Sequence, residues 1–172
     1  HGFHLGEKER WAKRSLWEDG TRVPVVVASP GHKLGQKTNR PAELLDVFPT
    51  LLELAGLPAD STQEGQSLVP LMKNPQREWN HPAITSFGLG NYSVRSTRYR
   101  FIQYFDGSRE LYDLSKDIGE ETDVADENPK IANRMPIELL FRGPESALRD
   151  VLTAMADSDQ YFFDLRIARI KN

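Results

Sequence analysis

The 172-residue sequence contains no cysteine. Its residues can therefore form no disulfide, thiolate metal site or cysteine nucleophile, and any metal must be held by His, Asp, Glu or carbonyl oxygen. No stretch approaches the roughly 18 consecutive apolar residues that a membrane-spanning helix needs, and the N-terminus shows no basic-then-apolar pattern. An excess of positive charge is also missing: 22 Lys plus Arg stand against 25 Asp plus Glu, a net charge of −3. That excludes an electrostatic nucleic-acid binder as the default reading. Repeats and low-complexity tracts are absent. What is present is a 38% hydrophobic composition with three Trp, five Tyr and eight Phe, which suits a packed globular protein rather than a disordered chain.

The order of residues predicts the organisation. Val23-Pro-Val-Val-Val-Ala-Ser29 is β-branched and closed by Pro30-Gly31, as a strand buried on both faces of a largely parallel sheet would be. Leu44, Val47, Phe48, Leu51, Leu52 and Ala55 recur at helical spacing. Gly56 and Pro58 end that helix, and Asp46 is its expected N-cap with Pro49 in the first turn. Ser67–Lys73 reads as a short helix stopped by Pro75. From Pro82 the texture changes to short β-prone runs at 83–87, 92–96, 99–105 and 110–114, with Asp106-Gly107 as a hairpin signal. A small antiparallel sheet is expected there, with a closing helix starting at 129–135. Pro144–Met155 reads as a further helix, and Tyr161–Ile170 alternates apolar and charged residues.

The opening, His1-Gly-Phe-His-Leu-Gly-Glu-Lys-Glu-Arg-Trp-Ala-Lys-Arg14, packs two His, two Glu and four cations around two glycines. Imidazole and fixed positive charge beside glycines that allow close backbone approach suit an anion or a metal. A solvated charged loop has the same composition. The His1 and His4 pair has no third ligand nearby in sequence, so a complete local zinc site is not expected. Because the chain opens inside this motif, we expect it to be part of a longer protein.

His1-Gly-x-x-Leu-Gly-Glu, then Trp11-Ala-Lys13, then Thr21-Arg-Val-Pro24 and the β-branched run resemble the sulfatase family, iduronate-2-sulfatase-like members in particular. Ser29-Pro-Gly31, Asp46–Pro58, Gly65–Leu71, Arg98–Tyr104 and Glu110–Leu114 agree in order, so the resemblance covers residues 1 to about 135. It implies the C-terminal portion of an alkaline-phosphatase-like α/β fold: a partial parallel sheet plus a small C-terminal antiparallel sheet with a packed helix. The implied divisions are 1–75, part of the catalytic domain; 76–135, the antiparallel subdomain; and 136–172, a divergent tail. The implied activity is hydrolysis of sulfate esters, sulfated glycans among them, by a formylglycine nucleophile expected upstream of this chain. A divalent cation, usually calcium, is implied with it, although calcium prefers oxygen ligands and imidazole is commoner on zinc.

Carried over by position, His1 matches a metal ligand and Lys13 the lysine that contacts sulfate, the catalytic candidate. His4 would either line the substrate mouth or be satisfied by the backbone. The expected partners are the sulfate ester and the missing N-terminal part of the catalytic domain, with no nucleic acid and no membrane span. Export is implied by the family alone, and the isolated chain should be inactive. Two other readings stay open: a phosphonate or phosphate ester hydrolase of the same superfamily, and a non-catalytic fragment that binds a glycan or a partner. Trp11 and Trp17 are expected to pack, Arg22 to pair with Glu18 or Asp19, and Arg95, Arg98 and Arg100 to lie on a solvated sheet surface or meet an anionic glycan. His32 and His81 are expected in loops. Asp117-Ile118 and Glu120–Ala125 depart mildly from the family pattern in a turn.

Overall fold

A computed structural model describes residues 2–132. The chain divides into two compact units, 1–135 and 136–172. The second unit, with the expected helix at 144–155 and the alternating run at 161–170, lies outside the described residues, as does His1.

The first unit runs through a 3-10 turn at Glu7–Glu9, α1 (Glu18–Thr21), a 3-10 turn at Leu44–Asp46, α2 (Val47–Leu54) and α3 (Val69–Lys73). Four strands follow, β1 (Ala83–Ser86), β2 (Tyr92–Arg95), β3 (Tyr99–Gln103) and β4 (Arg109–Asp113), and then α4 (Pro129–Ala132). The strands form an antiparallel sheet in the order β1-β2-β3-β4, as the alternating runs require. The β3–β4 hairpin turns at Asp106-Gly107, where Tyr104 N donates to Ser108 O at 2.9 Å and Gly107 takes φ 85°.

Both faces of the sheet are covered. Residues alternate sides along a strand, so Phe101 and its register partner Leu111 share one face, where they pack with Ala132 of α4, Val124 and Ala125. Ile102 and Tyr112 lie on the other face with Leu16 and Leu114, flanked by Trp17 and Tyr104. A third cluster joins Leu68, Leu71 and Trp79, and Trp79 Nε1 donates to Pro41 O at 2.9 Å.

One expectation needs correction. Val23–Ser29 forms no strand among the described residues, and Val26 is 90% exposed; a strand exists through its ladder partners, and the four strands here pair only with one another. The helix expected at 44–55 is present, and Leu44, Leu45, Phe48 and Leu51 on it and its preceding turn are exposed. Asp46 stands at the N-cap of α2 with Pro49 in the first turn, as expected, although its side chain makes no capping hydrogen bond there. Its carboxylate instead accepts Glu43 N and Gln66 N, each at 2.7 Å, tying the start of the helix to the connector that leads to α3.

Candidate functional site

The polar opening folds as a loop closed on itself. Gly2 N donates to Gly20 O at 3.2 Å, His4 N to Ala12 O at 3.0 Å and Gly6 N to Arg10 O at 3.0 Å. Two glycines permit this closure: a Cβ on Gly2 would stand 1.8 Å from Asp19 O, and one on Gly20 would stand 2.0 Å from Ser15 Oγ. Lys13 is exposed on this loop and makes no ion pair among the described residues. Its neighbour Trp11 is 73% exposed rather than packed, whereas Trp17 is half-buried against the sheet.

His4 is fully buried. Its Nε2 lies 2.6 Å from Ser15 Oγ and its ring meets Trp17 edge-on at 6.0 Å. His4 Nδ1 is buried without a hydrogen-bond partner. The fold brings Glu7 and Asp19 to it, so that one ligand atom from each of the three residues falls within 4.8 Å of the others. Asp19, 15 positions along the chain, and Glu7 are thus the donors the fold gathers around His4. Imidazole with two carboxylates is a donor set that fits a divalent cation.

A second such group, Glu43, Asp46 and His81, is already engaged in holding the chain. Glu43 Oε1 accepts Ile84 N at 2.6 Å, and His81 Nε2 lies 3.2 Å from Asp46 Oδ1. Burial pushes the Glu43 carboxyl above its usual range, with Asp46 adding to the shift and the Ile84 amide and His81 opposing it.

Beneath the loop lies a charged network that sequence reasoning missed. Arg95 and Arg100 sit directly opposite each other on β2 and β3, an arrangement that is unfavourable between like charges. Glu18 resolves it: its Oε2 pairs with Arg100 Nη2 and lies 3.5 Å from Arg95 Nε. Arg100, only 2% exposed, also donates to Leu16 O at 2.8 Å and Ser93 Oγ at 3.1 Å. Its Nε lies 2.6 Å from Glu120 Oε1. Glu120 Oε2 in turn accepts Glu18 N at 2.8 Å, and the Glu120 carbonyl accepts Lys8 Nζ. Burial pushes the Glu120 carboxyl up to about 7 although Arg100 pulls it down.

A usable signal for Arg100 was present in Tyr99-Arg-Phe-Ile-Gln103. With apolar Phe101 on one face and apolar Ile102 on the other, neither face is solvated, and Arg100 shares the face of Ile102. The expected pairing of Arg22 with Glu18 is present at 3.9 Å. Arg98 is engaged by Asp113 at 2.6 Å.

A family model described as N-sulphoglucosamine sulphohydrolase, C-terminal, matches residues 6–140. The chain belongs to this sulfatase family. A sulfatase of Formosa agariphila is 43% identical over 120 residues, which are 70% of this chain and 24% of that protein. Human arylsulfatase K is 33% identical over 146 residues, 76% of this chain and 27% of the relative. A delta 4,5-hexuronate-2-O-sulfatase of Bacteroides thetaiotaomicron is 33% identical over 145 residues, 76% of this chain and 30% of the relative. The sulfatase chain thus spans between 24% and 30% of the length of these relatives.

Among solved structures, a 2-O GAG sulfatase superposes with a TM-score of 0.61 at 26% identity, covering 86% of this chain and 34% of that one. A protein solved with its substrate D-glucosamine-2-N,6-O-disulfate gives a TM-score of 0.67 at 23% identity, covering 92% and 34%, which shows the fold. The fold is that of the alkaline-phosphatase-like sulfatases. A further family model, described as pilus-like, matches residues 113–172, most of them outside the described region.

Proposed function

We propose that this chain is the C-terminal part of a sulfuric ester hydrolase acting on sulfated glycans or related sulfate esters, in which Lys13 contacts the sulfate group. The observation that carries this reading is Lys13, exposed and without an ion pair among the described residues, on a loop closed by its own backbone hydrogen bonds. A fixed positive charge at the place where negative charge accumulates on a transferring group is among the largest catalytic contributions. Residues 1–75 would complete the catalytic domain, 76–135 would brace it and 136–172 would be an added tail. Sulfated glycosaminoglycan units named for the relatives support the substrate class.

His1 would hold a divalent cation, calcium by resemblance, and the donors His4, Glu7 and Asp19 fit a cation in the same loop. Held by His1, such a cation would supply Lewis acidity toward a sulfate oxygen. His4 has no exposed surface, so we assign it to seating the loop rather than to touching substrate. The nucleophile, a formylglycine, would come from the upstream part of the polypeptide.

The test is turnover of a sulfate ester by the polypeptide expressed together with its upstream coding sequence. We expect hydrolysis that chelation abolishes and calcium restores, and none from the 172-residue chain alone. An upstream region without a Cys/Ser-x-Pro-x-Arg motif, or turnover of phosphate esters in place of sulfate esters, would overturn the reading. Restoration by zinc or manganese but not calcium would overturn the metal assignment.

A further inference from the structure

We propose that Glu120 is a positioning residue for Lys13, holding both limbs of the loop that presents this lysine; the inference rests on the role just proposed for Lys13. Lys13 lies between Lys8 on one limb and Leu16 to Glu18 on the other. Glu120 takes hold of each. Its carbonyl accepts Lys8 Nζ, and its carboxylate accepts Glu18 N at 2.8 Å. Its second carboxylate oxygen lies 2.6 Å from Arg100 Nε, and Arg100 carries Leu16 O at 2.8 Å.

These ties span 112 and 102 residues of sequence, so the C-terminal turn reaches back to fix the N-terminal loop. Glu120 is 1% exposed, and its own turn is closed by Asp117, which accepts Glu121 N at 3.0 Å and Thr122 N at 2.8 Å.

Backbone conformation points the same way. Among the described residues, the positive-φ residues other than glycine are Lys8, Glu9, Arg14 and Glu120: three belong to the Lys13 loop and the fourth is its anchor. Such conformations cost free energy and persist only where the surroundings over-determine them. Neither a long helix nor a strand of the sheet contains the loop; its own backbone bonds close it, and the ties to Glu120 fix where the closed loop sits on the sheet.

A lysine that must meet a developing charge loses effect when its backbone origin shifts by even about 1 Å. Glu120→Gln disrupts the anchor chemically. Glu120 Oε2 accepts Glu18 N while Oε1 stands 2.6 Å from the Arg100 guanidinium, so the neutral amide removes the ion pair and sets its NH₂ against either the Glu18 amide or the Arg100 cation.

The experiment is a double-mutant cycle in the complete enzyme that carries this chain, with kcat and KM measured on a sulfate ester. Glu120→Gln should lower kcat roughly 10- to 100-fold in the wild-type background and change it by less than about twofold in a Lys13→Ala background. Lys8→Met removes the carbonyl tie and leaves the buried ion pairs in place; it decides the question if Glu120→Gln does not fold. We expect a smaller loss of kcat from Lys8→Met, again absent when Lys13 is Ala. In the same complete enzyme, the His4 and Gly6 amides should exchange with solvent faster in Lys8→Met. Unchanged exchange, or an equal fold loss in both backgrounds, would overturn the positioning role and leave the role of Lys13 intact. Normal turnover by Lys13→Ala would overturn both.

Discussion

Trp17 and Glu110 are joined by a 2.9 Å hydrogen bond from the indole Nε1 to Oε2. The same carboxylate accepts Tyr112 OH at 2.8 Å and Tyr104 OH at 3.0 Å. One side chain of β4 thus satisfies three donors where the N-terminal loop meets the sheet. Removing an acceptor from donors that stay covered costs their desolvation. Glu110→Ala should therefore destabilise the chain by about 3 kcal/mol, measured by urea unfolding. Burial, reinforced by the Glu110 charge, holds both phenols far above the usual tyrosine range. In Glu110→Gln the charge contribution disappears, and an absorbance titration should show two tyrosines ionising at lower pH than in the parent chain.

That junction also marks where the sequence is legible. The four strands follow from local alternation and from Asp106-Gly107, and the end of α2 follows from Gly56 and Pro58, because turn and periodicity signals act within a few residues. Val23–Ser29 has strand composition without strand structure, because pairing is a property of neighbours. Lys13 is conspicuous in sequence only through the resemblance of its motif. Glu120 is hidden in an acidic turn, since the groups that give it meaning, Lys8, Glu18 and Arg100, reach it only through the fold.

Glu120 should leave a signature in the pH dependence of stability. Burial raises its folded value to about 7 from an ordinary 4.5, against the pull of Arg100, the Glu18 amide and Lys8 and with the push of the Glu18 carboxylate. The folded chain then holds a proton that the unfolded chain has released between those values. Stability from this group is full below about 4.5 and is lost as pH rises through about 7. Glu18 runs oppositely: burial raises it, but Arg100 and Arg95 outweigh burial and lower it. Its contribution is present above its ordinary value and lost as pH falls through the lowered one. The stability of the parent chain relative to Glu120→Gln should fall by an amount on the order of 3 kcal/mol across the rise. A difference in Tm that stays constant with pH would contradict the assignment.

Asp46 is the equivalent junction for the helical part. Fully buried, it receives Glu43 N and Gln66 N, while Thr50 donates to its carbonyl at 2.6 Å and accepts Leu68 N at 2.8 Å. Asp46→Ala orphans two backbone amides and should cost about 3 kcal/mol, with Thr50→Val costing about 1 kcal/mol. Because both residues fasten the same connector, the double variant should lose less than the sum. Urea midpoints of the four proteins check this, and strict additivity would mean that the two sets of bonds act separately.

Lys13 separates stability from chemistry. Its side chain is exposed and carries no ion pair among the described residues, so Lys13→Ala should leave Tm within about 1 °C of the parent, as surface substitutions away from special features do. In the complete enzyme the same change should lower turnover by about 10²- to 10³-fold, the usual cost of losing one preorganised donor to a developing anionic charge. Lys13→Arg keeps the charge but replaces a compact ammonium with a planar fork. It should recover only part of the loss, because this loop fixes the backbone position from which the side chain must reach. Turnover near normal in Lys13→Ala would remove Lys13 from the reaction, whereas full recovery in Lys13→Arg would show that charge alone suffices there and that the geometry enforced by the loop does not matter.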